Sequence, residues 1–254
     1  METAYHFELR RSYTIEQYKQ EYGPKLDYRG SERNRPKLAC YACEHPMYPV
    51  GEDLPTRDHH WSHFPSSNPP WCPTKEKAAR PYELLNPGTT DPEQGMKLRR
   101  LVFEHWRHHW GVVQTLAPMA DIHTFIGFLR SADQKQFWMH CGLEEWFIPY
   151  ICLATCDFRP SKNQKAAALR PEWLRFWFDS RVRTLEDLWI HTTGDFRMMR
   201  AMYRVPARGG DPTPKHLIRI EPIEVDRGFL GAPLRRKPNP YQEKAMLEFA
   251  QNGK

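Results

Sequence analysis

Cys40 and Cys43 stand two residues apart, and His60-Trp61-Ser62-His63 follows after sixteen residues, with Cys72 shortly beyond. Two soft thiolates at C-x2-C spacing grip one metal ion from a tight knuckle. Two imidazoles downstream complete a tetrahedron, the closed arrangement of structural zinc sites. The connecting stretch holds Pro46, Pro49, Gly51 and Pro55, residues that interrupt helices and sheets and suit a loop stapled by metal. The spacing predicts zinc on Cys40, Cys43, His60 and His63. His59 pairs with His63 as an H-x3-H alternative, and Cys72 is an alternate for either histidine. Five or more donors in so short a span favour a closed structural site over a catalytic one that keeps a position open for water. The bland reading is two chance cysteines in a histidine-rich loop.

The run Leu38-Ala39-Cys40-Tyr41-Ala42-Cys43, then His60-Trp61-Ser62-His63 and Cys72, resembles the N-terminal zinc finger of the CoiA-like competence-protein family. That pattern is C-x2-C, a short hairpin, His-Phe-x-His and often a further cysteine; here Trp61 replaces the phenylalanine. The resemblance covers residues 38 to 73. It implies bacterial nucleic-acid biology, and a zinc module attached to a nuclease-like domain.

The nuclease half departs from that pattern. Restriction-type nucleases use an Asp followed by an Asp/Glu-x-Lys pair, in which carboxylates hold the divalent metal and the lysine polarises water or phosphate. The chain contains no Glu-x-Lys, and its one Asp-x-Lys is Asp133-Gln134-Lys135, in a polar stretch without strand alternation. In the family a glutamate and a histidine follow the finger, ahead of a lysine. Here Glu93 and Lys97 fall near that place but the histidine does not. No catalytic residue is assigned.

A chain of 254 residues can bury one large core or two small ones. Its hydrophobic fraction of 40% and charged fraction of 27% are those of a globular protein. No apolar run is long enough to span a bilayer, and Met1-Glu2-Thr3-Ala4-Tyr5 lacks a basic-then-apolar leader. A soluble, cytoplasmic protein without membrane contact is therefore expected. Six cysteines fit a metal site plus buried thiols, Cys152 and Cys156 among them, better than a disulfide framework.

The elements around the metal loop follow from caps and periodicity. Thr14 to Gln17 forms a capping box opening a helix that Gly23-Pro24 ends. Residues 25–37 read as a basic linker, and Pro65 to Pro92 as a proline-rich wrap. Met96 to Trp110 reads as one strong helix, with His105 and His109 on its apolar side. A second metal on that pair is disfavoured because no acidic ligand is evident beside it. Ile122 to Leu129 is helical, and Phe147 to Ala154, nearly unbroken apolar, reads as a buried strand. Arg175 to Phe178 and Leu217 to Ile220 are further strands, and Thr184 to Asp187 caps a short helix. A final helix has Asn239 as N-cap, Pro240 first, Gln242 closing the cap and Gly253 as its stop. The expected class is mixed α+β, a zinc-stapled module on a mixed body. The expected divisions are 1–37 (helix and linker), 38–92 (zinc module and wrap) and 93–254 (body).

The net charge of +6 favours an anionic partner. Arg197, Arg200 and Arg204 form one basic concentration, and Arg235, Arg236 and Lys237 a second. Each suits phosphate contact, and each is equally compatible with a solvated surface. Trp61 and Trp71 suit base stacking or a cover over the cysteines. The composite expectation is a zinc-finger protein that binds DNA or RNA, as a non-catalytic subunit of a bacterial defence, mobile-element or DNA-processing assembly. The alternatives are a diverged nuclease and an assembly factor that docks other protein subunits.

Overall fold

The structure is a computed structural model and describes residues 1–53, 59–75, 82–161, 164–190, 196–207 and 209–252. Pro55, part of the proline-rich wrap (76–81) and the Gly253 stop lie outside them. The chain is a mixed α+β protein of two compact units, Met1–Lys75 and Glu76–Lys254. The opening helix, the basic stretch and the cysteine knuckle thus form one body rather than two successive pieces. The boundary falls at residue 75 instead of 92.

The first unit is built on a five-stranded antiparallel sheet in the order β2-β1-β3-β4-β5. Its strands are β1 (Ala4–His6), β2 (Arg11–Tyr13), β3 (Leu38–Ala39), β4 (Pro46–Val50) and β5 (His60–His63). Helix α1 (Ile15–Tyr22) opens with the Thr14/Gln17 box and ends at Gly23, whose φ of 79° needs a glycine. Ile15 and Tyr18 are buried, as are Tyr13, Leu38, Met47 and Trp61. Trp61 lies edge-on to Tyr18 with ring centroids 5.1 Å apart, and its Nε1 donates to the Tyr13 carbonyl at 3.0 Å. It is a core residue, not a stacking surface. The expected linker is also tied in. The Arg35 guanidinium grips Glu52 in two-pronged fashion at 2.5 and 2.9 Å, with both side chains nearly buried.

The second unit begins with α2 (Pro92–Glu104) and α3 (Trp106–Leu116), one expected helix broken at His105. Leu98 and Val102 face inward before the break, and Trp106, His109, Trp110, Val112 and Val113 after it. Gly95 is the close-approach point. A Cβ there would lie 3.0 Å from the Met139 Cα, so α2 can pack on the turn at 137–139 only with glycine at this position. Helix α4 (Ile122–Gln134) follows, opened by the Asp121 cap.

The apolar run after Phe147 is a helix, α5 (Ile148–Thr155), not a strand, and all eight of its residues are buried. Pro149 sits in its first turn, where the missing N–H costs nothing. A helix buried on every side shows no apolar stripe, so periodicity could not separate it from a buried strand.

Helix α6 (Gln164–Leu169) leads into an antiparallel sheet of β6 (Trp173–Phe178), β7 (Met198–Tyr203) and β8 (Leu217–Ile223), in that order. The short α7 (Asp187–Ile190) lies between β6 and β7 in the chain. Helix α8 (Pro240–Asn252) closes it, with Asn239 and Gln242 exchanging the expected cap hydrogen bonds at 3.0 Å each. No helix among the described residues is long and apolar enough to cross a membrane.

Candidate metal centre

Cys40 follows β3 directly, and the C-x2-C segment is the turn that joins β3 to β4. The Cys40 N–H donates to the His45 carbonyl at 2.9 Å, and the Glu44 N–H donates to the Cys40 carbonyl at 2.8 Å. Glu44 takes a left-handed φ of 58° to complete the turn, a conformation that costs about 1 kcal/mol for a side chain with a Cβ. Pairing of Met47 with His63 between β4 and β5 then brings the end of β5 beside this knuckle.

Four donors converge there. Cys40, Cys43, His63 and Cys72 offer ligand atoms that all lie within 4.8 Å of one another, the one such cluster among the described residues. The Cys40 and Cys72 sulfurs are 3.7 Å apart, and the Cys43 sulfur is 3.3 Å from His63 Nε2. A tetrahedral ion with metal–sulfur bonds of about 2.3 Å requires sulfurs about 3.8 Å apart, whereas a disulfide would hold them at about 2.05 Å. The observed spacing is that of ligands. All three cysteines are buried.

Electrostatics argue the same way. Hydrogen bonds from Cys43 and then Cys72 hold the Cys40 thiol far below the usual thiol range. The hydrogen bond with Cys40 is the largest cause pushing Cys43 upward, and it pushes Cys72 up to about 12 against the opposing effect of Cys43. One buried negative charge is tolerated and further thiolates are resisted. Only a cation among the sulfurs lets all three ionise. The donors therefore fit a metal ion, enclosed and soft.

His60 is displaced from the expected set and Cys72 takes its place. The reason is the strand. Successive side chains of β5 alternate faces, so His63 shares a face with Trp61, while His60, three residues away, points to the other. His60 is exposed. His59 turns instead to Glu16, at 3.1 Å. Reading the pair as loop residues hid this parity; reading it as a strand would have excluded one histidine.

The basic residues divide as well. Arg200 is engaged internally: its guanidinium pairs with Glu221 and donates to the Leu116 carbonyl at 2.6 Å. Arg235 pairs with Asp226. Arg197, Arg204, Arg236 and Lys237 are exposed. Among the described residues Arg204, Arg236 and Lys237 have no ion pair. Asp133, the acid of the Asp-x-Lys, is held by Arg99 at 2.7 and 2.9 Å and by the Trp138 indole at 2.6 Å, a structural assignment.

The acid expected to be missing beside His105 and His109 is present. Glu145, distant in sequence, places Oε1 2.8 Å from His105 Nδ1 and 3.0 Å from His109 Nε2. Burial lowers the pKa of the fully buried His109 against the opposing pull of Glu145. Burial tends to raise the Glu145 carboxyl, but the hydrogen bonds from His109 and His105 outweigh it and hold it below its ordinary value. Both shifts have one sign for stability. The unfolded chain binds protons that the folded one refuses, so stability falls as pH drops, from about 6.5 for His109 and below about 4.5 for Glu145. Denaturant titrations from pH 7 to 5 are expected to show wild type losing up to about 1.4 kcal/mol per pH unit more than His109→Gln. Equal slopes would refute the assignment.

A comparison with protein-family models, curated proteins and solved structures finds no match for this chain.

Proposed function

We propose that this is a nucleic-acid-binding protein without nuclease activity, whose N-terminal unit is folded around one zinc ion held by Cys40, Cys43, His63 and Cys72. The observation that carries the zinc assignment is the buried Cys3His cluster. Three thiolates and an imidazole in a closed tetrahedron are the donor set of structural zinc, softer than magnesium or calcium sites and without an open position for substrate.

Charge divides the labour between the units. The first unit carries ten basic and ten acidic residues, so the whole net charge of +6 belongs to the second. Phosphate binding is therefore assigned to the second unit, with zinc confined to a structural role in the first. Arg236 and Lys237, exposed and without acidic partners among the described residues, and Arg204 on the β7 exit are its best candidates. The resemblance of residues 38–73 to the CoiA-like finger agrees with this reading and with a place in a bacterial DNA-processing or defence assembly. Absence of cleavage is inferred from the missing Glu-x-Lys and from Asp133 being bound to Arg99 and Trp138.

Electrophoretic shifts at several salt concentrations test these residues. Arg236→Glu with Lys237→Glu is expected to weaken DNA or RNA binding alike for all sequences. The log–log salt slope should flatten by about 0.9 for each phosphate of duplex DNA that the variant no longer neutralises. Unchanged slopes would remove these residues from the interface. Magnesium- or manganese-dependent degradation that co-purifies with the protein would overturn the non-nuclease part.

A further inference from the structure

The second unit contains a cleft of about 1130 Å³ between the start of α4, the start of α8 and the segment following α5. That volume lies just above the usual range of small-molecule sites, roughly 300–1,000 Å³. Two features distinguish it from a surface dent. Two exposed arginines, Arg159 and Arg236, are among its lining residues. The backbone of Arg236 rests on α3 at Gly111, where a Cβ would lie 3.7 Å from its nitrogen. Also lining it is Tyr241, 60% exposed, its hydroxyl 2.8 Å from His123 Nε2 and its ring edge-on to that imidazole.

Of the cleft's two carboxylates, Asp157 is balanced within the protein, whereas Asp121 keeps its charge. Asp157 is tied to Arg175 at 2.5 Å and to the Trp173 indole at 3.3 Å. Asp121 caps α4 through the His123 N–H at 3.0 Å. Arg159 is 3.4 Å from Asp211, both largely in solvent, a weak pair that an incoming phosphate can replace.

We propose that this cleft takes one unpaired nucleotide of a single-stranded nucleic acid, with the phosphate on Arg159 and Arg236 and the base on Tyr241. A held aromatic ring beside cations is how single strands are bound without strong sequence preference. The base-paired nucleotides of a duplex cannot enter, because their faces are stacked and their edges paired. This rests on the nucleic-acid reading above and specifies where and in what form the partner binds.

The test is fluorescence anisotropy of the full chain with labelled 12-mers of oligo-dT and oligo-U and with a duplex DNA of equal length. Tyr241→Ala is expected to weaken binding of the single strands at least five-fold and of the duplex less than two-fold. Tyr241→Phe, which keeps the ring, should restore single-strand binding. Arg159→Ala should weaken both single strands. Preference for oligo-U over oligo-dT would identify RNA as the source, and the reverse would identify DNA. If single strands bind with the same affinity in Tyr241→Ala while Arg236→Glu with Lys237→Glu still weakens them, the cleft assignment fails and the nucleic-acid reading stands. If neither single strand nor duplex binds, both fail.

Discussion

Cys72→Ser is expected to strip the metal from the protein, while His60→Ala leaves it bound. Metal analysis of purified protein should give about one zinc per chain for wild type and for His60→Ala. Near-background zinc is expected for Cys72→Ser and for Cys40→Ser with Cys43→Ser. Structural zinc in such modules contributes about 10–16 kcal/mol of binding free energy that is also folding free energy. Loss of a ligand or chelation should therefore unfold residues 1–75 rather than merely loosen a loop. The unit is exposed to this because its strands are short, two of them three residues and one only two. A small core centred on Tyr13, Tyr18, Leu38 and Trp61 is marginal at this size without a staple. Circular dichroism and limited proteolysis with and without chelator read out the collapse. His60→Ala alters only an exposed strand position and should shift stability by about 0.5 kcal/mol or less. If His60→Ala loses zinc and Cys72→Ser keeps it, the assigned ligand set is wrong.

The second large effect is expected at Arg170. This side chain is 5% exposed, and its guanidinium donates to four backbone carbonyls: Pro118 at 2.5 Å, Phe158 at 3.0 Å, Arg159 at 2.7 Å and Glu172 at 2.5 Å. Among the described residues it forms no ion pair, and burial lowers its pKa against the opposing pull of Glu172. The residue clamps three chain segments together: the end of α3, the segment after α5 and the entry to β6. Arg170→Met keeps most of the apolar stem but leaves these carbonyls without their donor, at about 1–3 kcal/mol for each one left dry. A loss of about 3 kcal/mol or more in denaturant titration is expected. Lys244→Met, at a largely exposed side chain, should change stability by about 0.5 kcal/mol or less. Phe158 and Arg159 also line the cleft, so Arg170→Lys, which has too few donors for the four carbonyls, should weaken single-strand binding even where the fold survives. An Arg170→Met variant as stable as wild type would show that the clamp is dispensable.

Much of the molecule was legible in its residues because local chemistry specified it. The Thr14/Gln17 and Asn239/Gln242 caps and the helix-ending Gly23 use contacts three or four residues apart, and they form as read. The C-x2-C knuckle is equally local: two thiols at that spacing need only one tight turn to face the same point. The strands at 173–178 and 217–223 were visible in part, as the shorter runs Arg175–Phe178 and Leu217–Ile220.

What failed to show was decided by partners far away in the chain. The helix at 148–155 is buried on all sides by neighbours that its own sequence does not reveal. The histidine that joins Cys40 and Cys43 was settled by sheet register, since pairing β5 to β4 sends His63 to one face and His60 to the other. Cys72 enters the cluster only because the chain after β5 turns back to it. Glu145 meets His105 and His109 across a separation of at least 36 residues, and Glu221 meets Arg200 from the next strand, taking an arginine that composition alone offered to phosphate. Sequence by itself determined which donors and charges the protein owns. Tertiary structure decided which of them meet, because side-chain direction is set by strand parity and helix packing, and neither is fixed by residues close in the chain.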